Sequence, residues 1–173
     1  MKRVFIAIAL CGAILAFAGS PALATGVHLT SVEKQVLQLV NKQRAAQHLT
    51  PFRAQASLVR SARGHTHNMA TVPFFSHFSP NGRTPGQRDI AAGYGTRGFH
   101  SWSIGEAIAW GSGLYASPAQ IVRDWMKSPP HRAILLGHFR DAGIGVAVGA
   151  YERGGTRLDG VTYFTLDVGQ RTR

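Results

Sequence analysis

Apolar residues recur along this chain with two different periods, and the change from one to the other separates a helical portion from a strand-forming end. Thr30 and Glu33 flank the start of a run in which Val32, Val36, Leu39 and Val40 recur at helical spacing. The Thr-x-x-Glu arrangement is a capping box, so a first helix is predicted to run to about Gln47 and to close before Pro51. Leu58, Ala62, His65 and Met69, at i, i+4, i+7 and i+11, make the buried stripe of a second helix. His65 lies on that stripe and is read as a packed or hydrogen-bonded core histidine. His67 faces another way on the same helix, so "HTH" at 65–67 is not a metal-binding pair.

The stretch "SPNGRTPGQR" has the Pro, Asn and Gly of a loop, and Thr84-Pro85 within it opens a short helix ending at Gly93. Ser117-Pro118 starts a longer one, with Ile121, Val122, Trp125 and Met126 on one side and Lys127 near its end; Pro129-Pro130 stops it. The period then falls to two. Ile144, Val146 and Val148 alternate with small residues in "GIGVAVGAY", and "VTYFTLDVG" follows across the turn-rich "ERGGTRLDG". Helices followed by an antiparallel pair imply helices packed on a small sheet.

The first residues change the picture of where this domain works. "MKRVFIAIALCGAILAFAGSPALA" sets Lys2 and Arg3 ahead of an apolar run from Val4 to Ala18 and ends in a small-x-small site, Ala22-Leu23-Ala24. This is the pattern of a secretory signal peptide over residues 1–24, cleaved after Ala24. An uncleaved anchor is the rival reading, but the apolar run is shorter than the roughly 20 residues a spanning helix needs. Cys11 follows the large Leu10 and is poorly placed for lipid attachment. Cleavage leaves 173 − 24 = 149 residues, read as one domain over 25–173 that is secreted to the periplasm or the exterior as a monomer. The single cysteine leaves with the signal, so the core is expected to hold without a disulfide.

Charge adds a class of partner. Nineteen Lys and Arg against eight Asp and Glu give a formal charge of +11, or 11 − 2 = +9 without Lys2 and Arg3. Such a field steers anionic partners: envelope polymers, anionic lipids or free nucleic acid. The basic residues are scattered and form no nucleic-acid motif, which argues against sequence-specific nucleic-acid binding. A solvated basic surface and capture of a polyanion are the two readings left open.

Against so few acids, "SIGEAIAWG" raises a chemical question, because Glu106 stands among Ile104, Ala107, Ile108, Ala109 and Trp110. An unpaired buried carboxylate is costly, so it must find a cation, a donor or a metal. Two histidines lie beside turn or helix-stop signals: His77 in "FFSHFSPNG" and His131 in "WMKSPPHRAILL". A His, Glu, His set can bind Zn²⁺ with one position open, or provide a general base and acid. The three are 29 and 25 residues apart with no HExxH or CxxC, so spacing alone does not assemble them.

The ordered series "NKQRAAQHL", "FFSHFSPNGRTP", "AAGYG", "GEAIAWG", "WMKSPPHRAILL", "GIGVAVG" and "YFTLDVG" supplies what spacing does not. From about Leu37 to Gly169 the chain resembles the CAP superfamily of cysteine-rich secretory, antigen 5 and pathogenesis-related proteins, most closely its cysteine-free bacterial branch. The resemblance implies an α+β fold, a three-layer α-β-α sandwich with a central, largely antiparallel sheet. It also implies a cleft lined by two histidines and two acids able to hold a divalent metal. His77 and His131 match the two histidines and Glu106 the glutamate, which would then face both imidazoles across the cleft.

The second acid is missing: Met126, Lys127 and Ser128 follow Trp125 where it should stand. Ala107 and Ile134 replace asparagines of the family pattern. A three-residue site with fewer polar neighbours is expected to bind Zn²⁺ or a similar cation weakly, to lose it as pH falls through about 6.5, and not to need it for folding. The function expected from the resemblance is binding of a lipid, a peptide or an envelope fragment in that cleft. The alternatives are a hydrolase, using Glu106 and a histidine with a metal-bound water or the hydroxyl of Ser76, Ser101 or Ser103, and a polyanion-binding basic protein. No G-x-S-x-G elbow supports the serine version.

Overall fold

A computed structural model describes residues 27–72, 74–95 and 97–173, so the segment read as a signal peptide, with Cys11, lies outside the described residues. Helix α1, Ser31–Ala45, begins at the capping box: the Thr30 hydroxyl accepts from the Glu33 N–H, and the Glu33 side chain accepts from the Thr30 N–H. The two-residue strand β1, Arg53–Ala54, follows, and then α2, Ala56–Thr71, capped by the side chain of Gln55. Leu58, Ala62, His65 and Met69 are all buried along α2, as the stripe predicts. Helix α3, Pro85–Ala91, has a second capping box through Thr84 and Gln87, and α4, Pro118–Lys127, is capped by Ser117.

Three features depart from the periodicity. Pro129 and Pro130 end α4 but also open a further helix, α5, Pro129–Leu135, because proline is pre-set for the first turn of a helix. The run around Glu106 is an eleven-residue strand, β2, Ser101–Gly111. Its polarity alternates too little to show the period of two. The closing strands, β3 (Asp141–Arg153) and β4 (Thr156–Thr172), also reach much further than their apolar cores. Gly154 and Gly155, both at positive φ, join them in a tight hairpin, so the flanking polar residues pair instead of looping.

The sheet runs β1-β3-β4-β2, antiparallel except for the short parallel β1–β3 pair. One face carries Ile144, Phe164, Leu166, Val168 and Ala107, which pack with Val36 and Val40 of α1, Ile121, Val122 and Trp125 of α4, and Leu135 of α5. Trp125 is 1 % exposed, whereas its neighbour Met126 is only half-buried and packs at the margin of this core. On the other face Val161, Tyr163 and Ile108 meet Met69 of α2. Gly143, Gly145 and Gly149 of β3 lie so close to α2 that a Cβ on any of them would strike the backbone of Leu58, Ala62 or Ala70. Helices thus cover both faces, giving the α-β-α sandwich that the resemblance implies. The buried Arg44 ties its rim together, donating to the carbonyls of Thr50, Leu135, Gly137 and Phe139.

Candidate functional site

Glu106 projects from β2 toward the α2 and α3 side of the sheet, and the structure shows what holds its charge there. One carboxylate oxygen, Oε1, accepts from Nδ1 of His77 at 2.7 Å; the other, Oε2, accepts from the Arg88 guanidinium. The Glu106 side chain is 1 % exposed and that of Arg88 9 %, whereas His77 remains 45 % open to solvent. Arg88 comes from α3 and is anchored by the carbonyls of His77 and Arg83 and the hydroxyl of Ser79. Its role was invisible in the sequence, where it stood among scattered basic residues; the one available hint was its place inside the helix next to the His77 loop.

His65 packs against this pair from α2. Its Nε2 lies 2.9 Å from the Ser76 carbonyl and 3.9 Å from Oε2 of Glu106, and its ring meets Phe74 edge-on. Burial pushes its pKa down, so it stays neutral and donates to Ser76, fixing the loop that carries His77. It is the core histidine its stripe predicts.

His131, on the first turns of α5, is half-buried with Nδ1 2.9 Å from the Ser128 hydroxyl. Burial lowers its pKa first, and the neighbouring His77 lowers it further, which places the two imidazoles within electrostatic reach of each other. Glu106 therefore has one imidazole and one guanidinium as its bonded partners, in place of the two imidazoles expected. Lys127 is exposed.

Two acids the sequence reading passed over sit behind the site. Asp89, next to Arg88 on α3, and Asp167, opposite Glu106 on β4, are both wholly buried. Their oxygens make no well-aligned hydrogen bond among the described residues, but the Ser61 hydroxyl lies close to Asp89 and the two carboxyls lie within hydrogen-bonding reach of one another. Burial pushes Asp89 up to about 6 and Asp167 well above the usual carboxylate range, so the pair keeps a proton between them. No periodicity marks them, because each belongs to a polar position that becomes interior only when α3 docks on the sheet.

An open groove of about 460 Å³ runs past His77 and Glu106, bordered by Pro85, Gly86, Trp102, Ile104 and Gly105. Because a carboxylate only accepts, its bond makes Nδ1 of His77 the protonated nitrogen and turns a free Nε2 lone pair outward. That nitrogen can act as a base or as a ligand. Both oxygens of Glu106 are already engaged, so the carboxylate fits the role of orienting His77 better than that of a direct ligand. Among the described residues no cluster of three or more His, Asp or Glu side chains is arranged to hold a metal ion. Among the described residues none of the serine hydroxyls considered as nucleophiles is hydrogen-bonded to an imidazole: that of Ser76 accepts from the Phe78 N–H, and Ser101 and Ser103 lie exposed on β2.

A small mixed sandwich with helices on both faces of a largely antiparallel sheet is the architecture of a recognisable class, the SCP-like domain. The chain matches the CAP family, described as the cysteine-rich secretory protein family, over residues 37–168, and it belongs to that family. YkwD of Bacillus subtilis (strain 168) is 31 % identical to it over 118 residues, which is 68 % of this chain but 43 % of that protein. Two solved structures share the fold. An extracellular SCP-domain protein from Bacillus anthracis str. Ames superposes with a TM-score of 0.62 at 23 % identity, covering 82 % of this chain and 40 % of that one. An outer surface protein from Borrelia burgdorferi gives 0.60 at 19 %, over 84 % of this chain and 98 % of its own. This chain therefore spans less than half the length of YkwD and of the Bacillus anthracis protein.

Proposed function

We propose that this chain is a secreted binding module whose groove at His77 and Glu106, with His131 within electrostatic reach of His77, receives a lipid, a peptide or an envelope fragment. The observation that carries this reading is the locked dyad: Arg88 and Glu106 fix the His77 ring so that Nε2 faces an open, partly apolar groove. A contact group held this rigidly loses little entropy when a ligand arrives. The extracellular and outer-surface settings of its structural neighbours, together with the signal-like residues 1–24, support export. Among the described residues no helix is long and apolar enough to cross a membrane.

Isolating the protein from its own secretions and identifying what travels with it tests the reading. Wild type should carry a ligand that His77→Ala and Glu106→Gln lose. A wild type as empty as both variants overturns it.

The same dyad favours a second reading, a hydrolase with His77 as general base, since a carboxylate-oriented imidazole is half of a catalytic triad. Turnover of a broad peptide library that disappears in Glu106→Gln would place catalysis ahead of binding. A weak divalent-cation site completes the proposal, with the imidazoles of His77 and His131 as ligands and Glu106 behind His77. Calorimetric titration with Zn²⁺ should give binding in wild type that His77→Ala and His131→Ala each weaken; equal affinity in all three ends that part.

A further inference from the structure

The groove has one kind of lining that side chains do not explain. Ile104, Gly105 and Glu106 all border it, although consecutive side chains on a strand point to opposite faces. Ile104 and Glu106 share a face of the strand and border the groove from that side, but Gly105 between them has no side chain and reaches the same space only through its main chain, at the edge of the strand. β2 is the outer strand of the sheet: β4 pairs with one side of it, and among the described residues no strand pairs with the other. Glu106 is 8 % exposed as a residue but only 1 % in its side chain, so what it shows to solvent is backbone.

The carbonyl of Ile108, further along, accepts from the Trp125 indole at 3.2 Å, which places that group on the side of β2 turned away from β4. Main-chain groups of alternate residues turn to the same edge, so those of Trp102, Ile104 and Glu106 point the same way. Among the described residues no loop or side chain takes them up as Trp125 takes up Ile108.

We propose that this edge takes an extended peptide as an added strand, laid along Trp102 to Glu106 between the backbone of β2 and the wall formed by His77, Pro85 and Gly86. The proposal rests on the cleft-binding reading above and names its ligand class. A row of alternating amide donors and carbonyl acceptors is matched in spacing and polarity by another polypeptide backbone and by no acyl chain. Trp102, 48 % exposed at the mouth, offers a flat apolar ring to one side chain of the incoming strand. The groove walls make the edge reachable by a single strand while hindering edge-to-edge stacking of whole sheets.

The test uses the chain as it stands and a library of acetylated octapeptides, the tightest binder being remade with alternate backbone amides N-methylated. In the free protein the amides of Ile104 and Glu106 should exchange quickly while those of Ser103 and Gly105 are protected; the peptide should protect the first pair. N-methylation, and Ile104→Pro, which removes one outward N–H without touching the ladder to β4, should each weaken binding by about tenfold or more. Should Ile104→Pro fail to fold, exchange on wild type and the methylated peptide decide the matter. Slow exchange at Ile104 and Glu106 without peptide, a methylated peptide that binds equally well, or the absence of any octapeptide binder overturns the proposal. Anionic phospholipid vesicles separate the two readings. If they alter Trp102 fluorescence in wild type but not in His77→Ala, and no octapeptide binds, the cleft reading stands and strand addition falls; if His77→Ala changes neither ligand's binding, the cleft reading itself falls.

Discussion

At the level of single residues, burial decides which of the eight acids matter. Asp89 illustrates the sign of the effect. Its folded pKa of about 6 lies above the ordinary 3.8, so between those values the folded state holds a proton that the unfolded chain releases. Stability from this group is therefore present below the ordinary value and is lost as pH rises toward 6. Asp89→Asn removes that loss, and its stability relative to wild type should rise by roughly 1–3 kcal/mol between about pH 4 and pH 7 in urea titrations. A difference that does not change with pH would show that no proton is held there. Trp125 makes a simpler case. Fully enclosed, with its indole bonded to Ile108, it should destabilise the protein by about 3–5 kcal/mol on replacement by alanine, and an unchanged denaturation midpoint would contradict its place in the core.

Between elements, the tightest joint is that of α2 with β3. Gly143, Gly145 and Gly149 let the helix backbone rest on the strand, and α2 in turn carries His65, which holds the loop of His77. Gly145→Ala would drive a methyl group into the backbone of Ala62, so a loss of roughly 1–3 kcal/mol or more is expected, with shifted NMR signals at His65 and His77. A midpoint equal to wild type would mean the joint can open without consequence. The alternation of Ile144 and Val146 with glycine and alanine was visible in the chain as a strand pattern, and so were α1, α2 and α4, whose caps and stripes are local signals. β2 was not legible from periodicity, because Gly105, Ala107 and Ala109 face the core with almost no side chain to register. α5 was hidden behind prolines that read as a stop.

Across the whole molecule, each of the two cores among the described residues is a continuous set of buried apolar side chains, so the fold is expected to hold without a bound ion. Excess chelator should leave the melting temperature unchanged within about 1 °C, while a drop of more than about 5 °C would reveal a structural metal. The candidate site was half legible on the same scale. His77 and Glu106 were recovered through resemblance, because only the fold brings residues 29 apart into contact. Arg88, Asp89 and Asp167 were not, since a charged residue in a surface-like sequence gives no sign that a docking helix will enclose it.

The Arg44 clamp has a consequence in time. β3 and β4 meet across a two-glycine turn, so their pairing closes early, whereas the bonds from Arg44 to Leu135, Gly137 and Phe139 span 91 to 95 residues and form only when most of the chain is in place. Such late contacts are expected to be absent from the transition state. Arg44→Lys, which keeps a charge but loses the fork, should leave the folding rate nearly untouched and speed unfolding by about tenfold or more in stopped-flow measurements. Substitutions in the hairpin should instead slow folding. If Arg44→Lys slowed folding as much as it speeded unfolding, the rim would already be assembled at the barrier. In the expected order, one guanidinium at the rim sets how long the finished protein, and with it the helix that carries His131, survives before opening.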